Sequence, residues 1–77
     1  DINLIVSDIE MDGMDGYELC QSLLSVEKTS SIPVILLSIR DKEDVRRKSR
    51  DFSNIKKVVQ KPYFRDQLLS DIEELIN

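Results

Sequence analysis

Polar side chains stand at the ends of successive apolar runs, and together they could carry phosphoryl-transfer chemistry. These residues are Asp8, Ser38 and Lys61. An aspartate carboxylate can attack phosphorus as a nucleophile and form an acyl phosphate. A lysine ammonium and Mg²⁺ can neutralise the phosphoryl oxygens, and a hydroxyl can donate a hydrogen bond to one of them. Each residue alone has an ordinary explanation as a turn, strand-end or surface residue, so their equivalent positions are what predict a common site.

The elements that would position these side chains are three strand–helix units. The first two predicted strands are the short apolar runs Leu4–Val6 and Val34–Leu37, and the third runs from Ile55 to Gln60. The predicted helices run from Asp15 to about residues 29–31, from Asp41 to Phe52, and from beyond Pro62 to the last residues. This alternation predicts an α/β fold, a parallel sheet with helices on both faces. Because the carboxyl ends of parallel strands share one edge of the sheet, the three polar side chains are expected to converge there.

Local signals inside the helices give further expectations. Asp15 followed by Glu18 predicts a capping box at the start of the first helix. Cys20 is expected to face the core together with Leu23 and Leu24, which share its side of the helix. In the second helix, the expected ion pairs at i,i+4 spacing are Glu43–Arg47 and Asp44–Lys48. The apolar face of the last helix consists of Leu68, Leu69, Ile72, Leu75 and Ile76.

Composition excludes several classes of function. The 77 residues include 11 Lys and Arg against 15 Asp and Glu, a net charge of −4, so direct nucleic-acid binding is not expected. The basic residues within Arg46–Arg50 are interpreted as a solvated helix face. The absence of histidine excludes Ser-His and Cys-His nucleophile pairs and the usual zinc ligand sets. A single cysteine suits a reducing cytosol, and no apolar run approaches the ~18 residues that membrane insertion needs.

Three motifs together resemble the receiver domain of response regulators. Leu4–Met11 followed by Gly13–Leu19 resembles the family's phosphorylated strand and loop. Pro33–Ser38 is similar to its fourth strand, which ends in Thr or Ser, and Val58–Tyr63 is similar to its fifth strand with a Lys-Pro pair. The resemblance implies a flavodoxin-like parallel sheet. Residues 1–77 would be a partial receiver domain, from the third strand to the last helix, with the first two strands absent.

The resemblance assigns a role to each motif residue. Asp8 would be the phosphoacceptor, Ser38 the switch hydroxyl and Lys61 the phosphate-contacting lysine. Asp8 and the backbone carbonyl of Glu10 would bind Mg²⁺, and the bond before Pro62 would be cis. The implied function is that of a cytoplasmic phosphorelay module, not an enzyme. It would receive a phosphoryl group from a histidine kinase or phosphotransfer protein and control an output domain or target protein.

Departures from the family pattern support an alternative, a degenerate receiver that acts as a non-phosphorylated interaction module. The family's acidic metal-binding pair has no counterpart here, so Mg²⁺ binding by this chain alone is expected to be weak or absent. Asp12 replaces the usual proline, Val58 the switch aromatic, and Asn54-Ile55 the usual Gly-Ala turn. Without a neighbouring first strand, the edge at Leu4–Val6 could also pair with a second copy of the chain.

Two unrelated readings start from the same loop. Asp8, Glu10, Asp12 and Gly13 fit positions one, three, five and six of a calcium-binding EF-hand, but Leu19 occupies the twelfth position, which needs a bidentate Glu. The spacing of Asp8 and Glu10 also matches aspartyl phosphatases, which need a larger chain and a cap that excludes water. Both alternatives stay open, but the receiver resemblance covers more of the chain.

Overall fold

The computed structural model of the chain describes residues 2–11 and 14–76. Its strands are β1 (Ile5–Asp8), β2 (Glu10–Met11), β3 (Met14–Asp15), β4 (Val34–Ser38) and β5 (Ile55–Gln60). Its helices are α1 (Gly16–Leu24), α2 (Lys42–Ser49) and α3 (Arg65–Ile76). The substitution of Asp12 for proline, and Gly13 beside it, lie outside the described residues.

A parallel sheet with the strand order β1-β4-β5 organises the fold. Asp8 is paired in register with Leu37, and Ser38 is paired with Gln60, so the carboxyl ends of the three strands lie at one edge. All five residues of the central strand β4 are buried, which requires cover on both faces of the sheet. The predicted α/β fold with a parallel sheet is confirmed.

The hydrophobic core lies between β4 and the first two helices. Its buried members are Ile9, Tyr17, Cys20, Val34, Leu36 and Val45. Cys20 is fully buried, as its helical spacing predicted, and burial raises the pKa of its thiol to about 11. A buried thiol with a raised pKa stays protonated at neutral pH and is chemically inert.

The first unit differs from its prediction in three places. Strand β1 covers Ile5–Asp8 instead of Leu4–Val6. Strand β1 is not covered on both faces, because the side chain of Val6 is 40% exposed. Helix α1 ends at Leu24, several residues before the predicted end. The hydroxyl of Thr29 donates hydrogen bonds to the carbonyls of Leu23 (2.7 Å) and Val26 (3.2 Å) in the turns that follow. Ser and Thr side chains compete with helical hydrogen bonds in this way, which explains the early end.

Helix α2 is also shorter than predicted, ending at Ser49 instead of Phe52. Its ion pairs have i,i+3 spacing instead of the predicted i,i+4 spacing. They are Arg46–Glu43 (3.5 Å) and Arg47–Asp44 (3.7 Å). The basic side chains of residues 46–48 and 50 are all exposed, so the solvated helix face is confirmed.

Helix α3 forms where its periodicity predicts it, but its apolar face is only partly covered. None of its residues is buried, and Leu69 and Ile76 are about half exposed, at 50% and 51%. An ionic contact supplements this packing, because the ammonium of Lys57 on β5 lies 3.2 Å from Asp71 Oδ1 and 2.8 Å from Glu74 Oε2. At 12 residues, α3 is the longest helix, and no helix in the described part of the chain could cross a bilayer.

Candidate functional site

The position of Asp8 is determined by the sheet and by the start of α1. The amide of Ile9 donates a 3.0 Å hydrogen bond to the carbonyl of Leu37, and the Ile9 side chain is fully buried. The amide of Gly16 donates to the carbonyl of Ile9 at 2.6 Å. A Cβ atom on Gly16 would lie 2.8 Å from the carbonyl oxygen of Asp8, so only glycine allows this close approach. The helix start and the loop after Asp8 are therefore in direct contact.

Side-chain capping holds the first turn of α1. The Asp15 side chain accepts a 2.8 Å hydrogen bond from the amide of Glu18, as the capping pattern predicted. Asp15 also pairs with Glu10 across the short antiparallel ribbon β2–β3, an element that the sequence did not predict. This ribbon joins the residues that follow Asp8 to the cap of α1.

Lys61 contacts Asp8 directly at the carboxyl edge of the sheet. Its amide donates to the carbonyl of Ser38 at 2.7 Å, and its ammonium nitrogen lies 2.5 Å from Asp8 Oδ1. The side chains of Lys61 and Asp8 are 36% and 45% exposed, so solvent and ligands can reach both. The hydrogen bond to Asp8 and the charge of that carboxylate raise the pKa of Lys61 above its usual value. The Lys61–Pro62 peptide bond is cis.

The Ser38 hydroxyl has a partly defined orientation. Ser38 is 1% exposed, and its Oγ atom accepts a 2.9 Å hydrogen bond from the amide of Arg40. That bond occupies one acceptor site and leaves the hydroxyl proton available for donation. Asp41 directly follows Arg40 and caps α2, because its side chain accepts a 2.9 Å hydrogen bond from the amide of Glu43.

A second ion pair crosses the same edge, and the sequence reasoning missed it. Arg40 Nε lies 2.5 Å from Glu10 Oε1, with the two side chains 52% and 44% exposed. Glu10 stands two residues after Asp8, and Arg40 stands two residues after Ser38. The signal that could have predicted this pair is the opposite charge of two residues that each stand two positions after the polar end of neighbouring strands. Two anions and two cations are thus grouped at this edge.

The described residues provide only part of a Mg²⁺ site. Mg²⁺ prefers six oxygen ligands in octahedral geometry. The expected ligands are the Asp8 carboxylate and the Glu10 backbone carbonyl, but no group of three or more acidic, His or Cys side chains within residues 2–11 and 14–76 could hold a metal. The Glu10 carboxylate is itself paired with Arg40. These residues do not by themselves fit a Mg²⁺ ion.

An aromatic residue of α1 links the site to α2, and β5 carries Val58 at the position where the sequence resemblance implies a switch aromatic. Val58 is half-buried and packs against the core. Tyr17, next to Gly16, stacks on Phe52 with 5.6 Å between ring centroids, and the Lys48 ammonium lies 4.5 Å from its ring centroid. Burial of Tyr17 raises the pKa of its hydroxyl. Tyr17 therefore connects the loop after Asp8 to the end of α2.

Comparison with known proteins identifies the family. The model of the response regulator receiver domain matches residues 1–73. This chain belongs to the receiver-domain family. The receiver is 38% identical over 76 residues to the heme response regulator HssR of Staphylococcus epidermidis, covering 97% of this chain and 32% of that protein.

Solved structures of receivers show the same fold. The receiver domain of a signal transduction histidine kinase from Syntrophus aciditrophicus superposes with a TM-score of 0.78 and 39% identity, over 96% of this chain and 55% of that one. A phosphorylated cyanobacterial phytochrome response regulator, RcpA, superposes with a TM-score of 0.74 and 28% identity, over 96% of this chain and 54% of that one. These matches confirm the flavodoxin-like receiver fold.

The receiver identification places the chain in two-component signalling. Receiver domains are signalling modules and not classical enzymes, and as a class they bind Mg²⁺ and interact with histidine kinases and output domains. The chain spans about a third of the length of two curated relatives that it matches. It covers 35% of the probable transcriptional regulator ycf29 of Porphyra purpurea and 32% of HssR of Staphylococcus epidermidis.

Proposed function

We propose that Asp8 accepts a phosphoryl group from a histidine kinase or a phosphotransfer protein. The observation that carries this proposal is the 2.5 Å contact between Asp8 Oδ1 and the Lys61 ammonium at the carboxyl edge of the sheet. In the transfer, an Asp8 carboxylate oxygen forms a bond to phosphorus while the phosphorus–nitrogen bond of the donor phosphohistidine breaks. The leaving imidazole nitrogen keeps the electron pair and takes a proton from solvent.

Lys61 and Ser38 have distinct parts in this step. The Lys61 ammonium reduces the repulsion between the negative carboxylate and the incoming phosphoryl oxygens. Ser38 donates its hydroxyl proton to one phosphoryl oxygen, and this bond reports the phosphate to the loop that begins α2. Support for that role comes from the hydrogen bond that ties Ser38 Oγ to the Arg40 amide, directly before the α2 cap.

The domain and its metal complete the proposal. Because the chain covers 55% and 54% of two structurally similar receivers, we propose that residues 1–77 correspond to the third strand through the last helix of such a domain. Mg²⁺ would neutralise phosphoryl oxygens, with Asp8 and the Glu10 carbonyl as two of its ligands. The acidic pair would come from the part of the receiver that these residues do not cover.

The partners follow from the same assignment. We expect the phosphorylated domain to act in the cytoplasm on an output domain or target protein. In the described residues, β1 pairs only with β4, so its other edge could pair with a strand of a second copy at Leu4–Val6. Sedimentation of the chain across a concentration series tests this pairing, and a strictly monomeric chain would contradict it.

A degenerate, non-phosphorylated receiver is the second candidate. Val58 in place of an aromatic residue favours it, as does the partial set of metal ligands. The contact of Asp8 with Lys61 and the buried hydroxyl of Ser38 argue against it, because an interaction module has no need of them. We therefore favour phosphorylation.

Phosphorylation is tested by incubating the full-length receiver with acetyl phosphate and Mg²⁺ and measuring the intact mass. The expected result is one added phosphoryl group, which Asp8→Asn abolishes and Lys61→Met reduces. The matched control is Lys56→Met, because Lys56 is an exposed lysine on β5, the strand that ends one residue before Lys61. The 77-residue chain alone should react poorly. An unmodified receiver, or equal modification of Asp8→Asn, would contradict the proposal.

A further inference from the structure

The ion pair Arg40–Glu10 lies beside the phosphoacceptor contact and has no part in the phosphorylation step described above. Arg40 Nε contacts Glu10 Oε1 at 2.5 Å, and Lys61 contacts Asp8 Oδ1 at the same distance. The charge of Glu10 also contributes to the raised pKa of Lys61, so the two pairs are electrostatically coupled. In the unphosphorylated state, these four side chains have a formal charge sum of zero.

Phosphorylation changes that balance. A phosphoryl group gives the modified aspartate about −1.5 to −2 charges and three strong acceptor oxygens at neutral pH, in place of one carboxylate charge. Mg²⁺ would offset part of the added charge, but the three phosphoryl oxygens offer more acceptor sites than the Lys61 ammonium and the Ser38 hydroxyl can fill. The guanidinium of arginine is the side-chain group that best matches phosphate oxygens, because its planar donors can bind two of them at once.

We propose that Arg40 exchanges Glu10 for the phosphoryl oxygens when Asp8 is phosphorylated, and so acts as a second phosphate-contacting cation. This inference rests on the proposed phosphorylation of Asp8. Glu10 thereby acts as an internal competitor that holds Arg40 in the unphosphorylated state.

The backbone position and the exposure of Arg40 support this exchange. The amide of Arg40 is bonded to Ser38 Oγ, so the side chain starts beside the hydroxyl that is proposed to contact the same phosphoryl group. The Arg40 side chain is 52% exposed and therefore has room to change rotamer. Glu10 is 44% exposed, so its carboxylate can be hydrated once it is released.

Thermodynamic linkage predicts the direction of each substitution. A ligand and Glu10 that compete for Arg40 must weaken each other's binding. Glu10→Gln should therefore tighten the binding of beryllofluoride, a phosphoryl mimic, and Arg40→Gln should weaken it. Because the Arg40–Glu10 pair is half-exposed, each substitution is expected to change the beryllofluoride affinity by about two- to fivefold.

A double-mutant cycle separates exchange from a general charge effect. Beryllofluoride affinity is measured by titration with Mg²⁺ in the full-length receiver for the wild type, Glu10→Gln, Arg40→Gln and the double variant. Exchange predicts that Glu10→Gln tightens binding only when Arg40 is present. Arg46→Gln, which breaks an exposed pair on α2, is the matched control and should leave the affinity unchanged.

Each outcome has a defined meaning. The exchange is supported if the effects of Glu10→Gln and Arg40→Gln on beryllofluoride affinity are non-additive and the Arg40 Nε–H resonance shifts when beryllofluoride binds. Strictly additive effects, or an unchanged resonance, overturn it while leaving the phosphorylation of Asp8 intact. A wild-type receiver that binds no beryllofluoride, as Asp8→Asn is expected to behave, would instead refute the proposed function and this inference with it.

Discussion

The contact between α1 and the loop after Asp8 gives a sharp test of how the site is positioned. Gly16 is the first residue of α1, and an added Cβ would lie 2.8 Å from the Asp8 carbonyl oxygen, 2.9 Å from Ile9 Cα and 3.2 Å from a methyl group of Leu36. The two shortest contacts are to backbone atoms, which cannot move aside by changing rotamer. Gly16→Ala must therefore push the helix away from the loop after Asp8.

Two opposing effects determine how much Gly16→Ala changes the free energy of unfolding. Alanine in place of glycine in a helix contributes up to ~1 kcal/mol of stability. Overpacking costs ~1–3 kcal/mol, and backbone contacts place Gly16→Ala near the upper end of that range. We expect a net loss of about 2 kcal/mol in the free energy of unfolding, which corresponds to a fall of roughly 10 °C in Tm for a chain of this size.

Urea unfolding followed by circular dichroism measures this loss. Ser22→Ala, at an exposed position of the same helix, is the matched control because it changes helix propensity without steric conflict. That control should be neutral or gain up to ~0.5 kcal/mol. A Gly16→Ala variant as stable as the wild type would refute the steric reasoning. Slower phosphorylation of a folded Gly16→Ala variant would show that the same contact positions Asp8.

Three further changes test other contacts. Asn54 is 2% exposed and donates a 3.2 Å hydrogen bond to a carbonyl of α1, so Asn54→Ala should lose ~1–3 kcal/mol in urea unfolding and Asn54→Asp more, because it introduces a buried charge. Lys57→Met should speed amide hydrogen exchange along α3, since it removes both ionic contacts to that helix; unchanged exchange would assign the docking of α3 to apolar contacts alone. Asp8 raises the pKa of Lys61, so the ion pair should persist as pH rises and be lost only above the ordinary lysine value of 10.5. NMR titration of the Lys61 side chain should show this, with Asp8→Asn returning its pKa toward that value.

Hydrophobic pattern predicts the first and central strands because each contains a short apolar run followed by a polar residue, whereas β5 carries Lys56 and Lys57 among its apolar residues. The predicted bounds of β5 match the structure, and β4 extends by one residue to Ser38. Parallel pairing brings the strand ends together, and for that reason the sequence alone predicts that Asp8 and Lys61 approach each other. The in-register pairs Asp8–Leu37 and Ser38–Gln60 supply the hydrogen-bonded frame for that approach.

Helix ends and side-chain partners were predicted less well for a physical reason. The end of α1 depends on turns closed by the hydroxyl of Thr29, and such local bonds differ little in energy from another helical turn. The ion pair Arg40–Glu10 depends on the side-chain rotamers of a residue in the short ribbon and a residue in the loop before α2, which hydrophobic periodicity does not encode. The sequence resemblance placed Glu10 near the site, but it did not single out Arg40 or predict the contact between the two side chains.

Burial decreases outward from the central strand, and this gradient separates the site from the last helix. Every residue of β4 is buried, whereas Val6 on β1 is 40% exposed and α3 has no buried residue. The contacts that bring Asp8, Ser38 and Lys61 to one edge are backbone hydrogen bonds to β4, from Ile9 to Leu37 and from Lys61 to Ser38. None of them involves α3. The geometry of the site therefore depends on the register of β4 with its two neighbours, and the weaker packing of α3 can change without altering it.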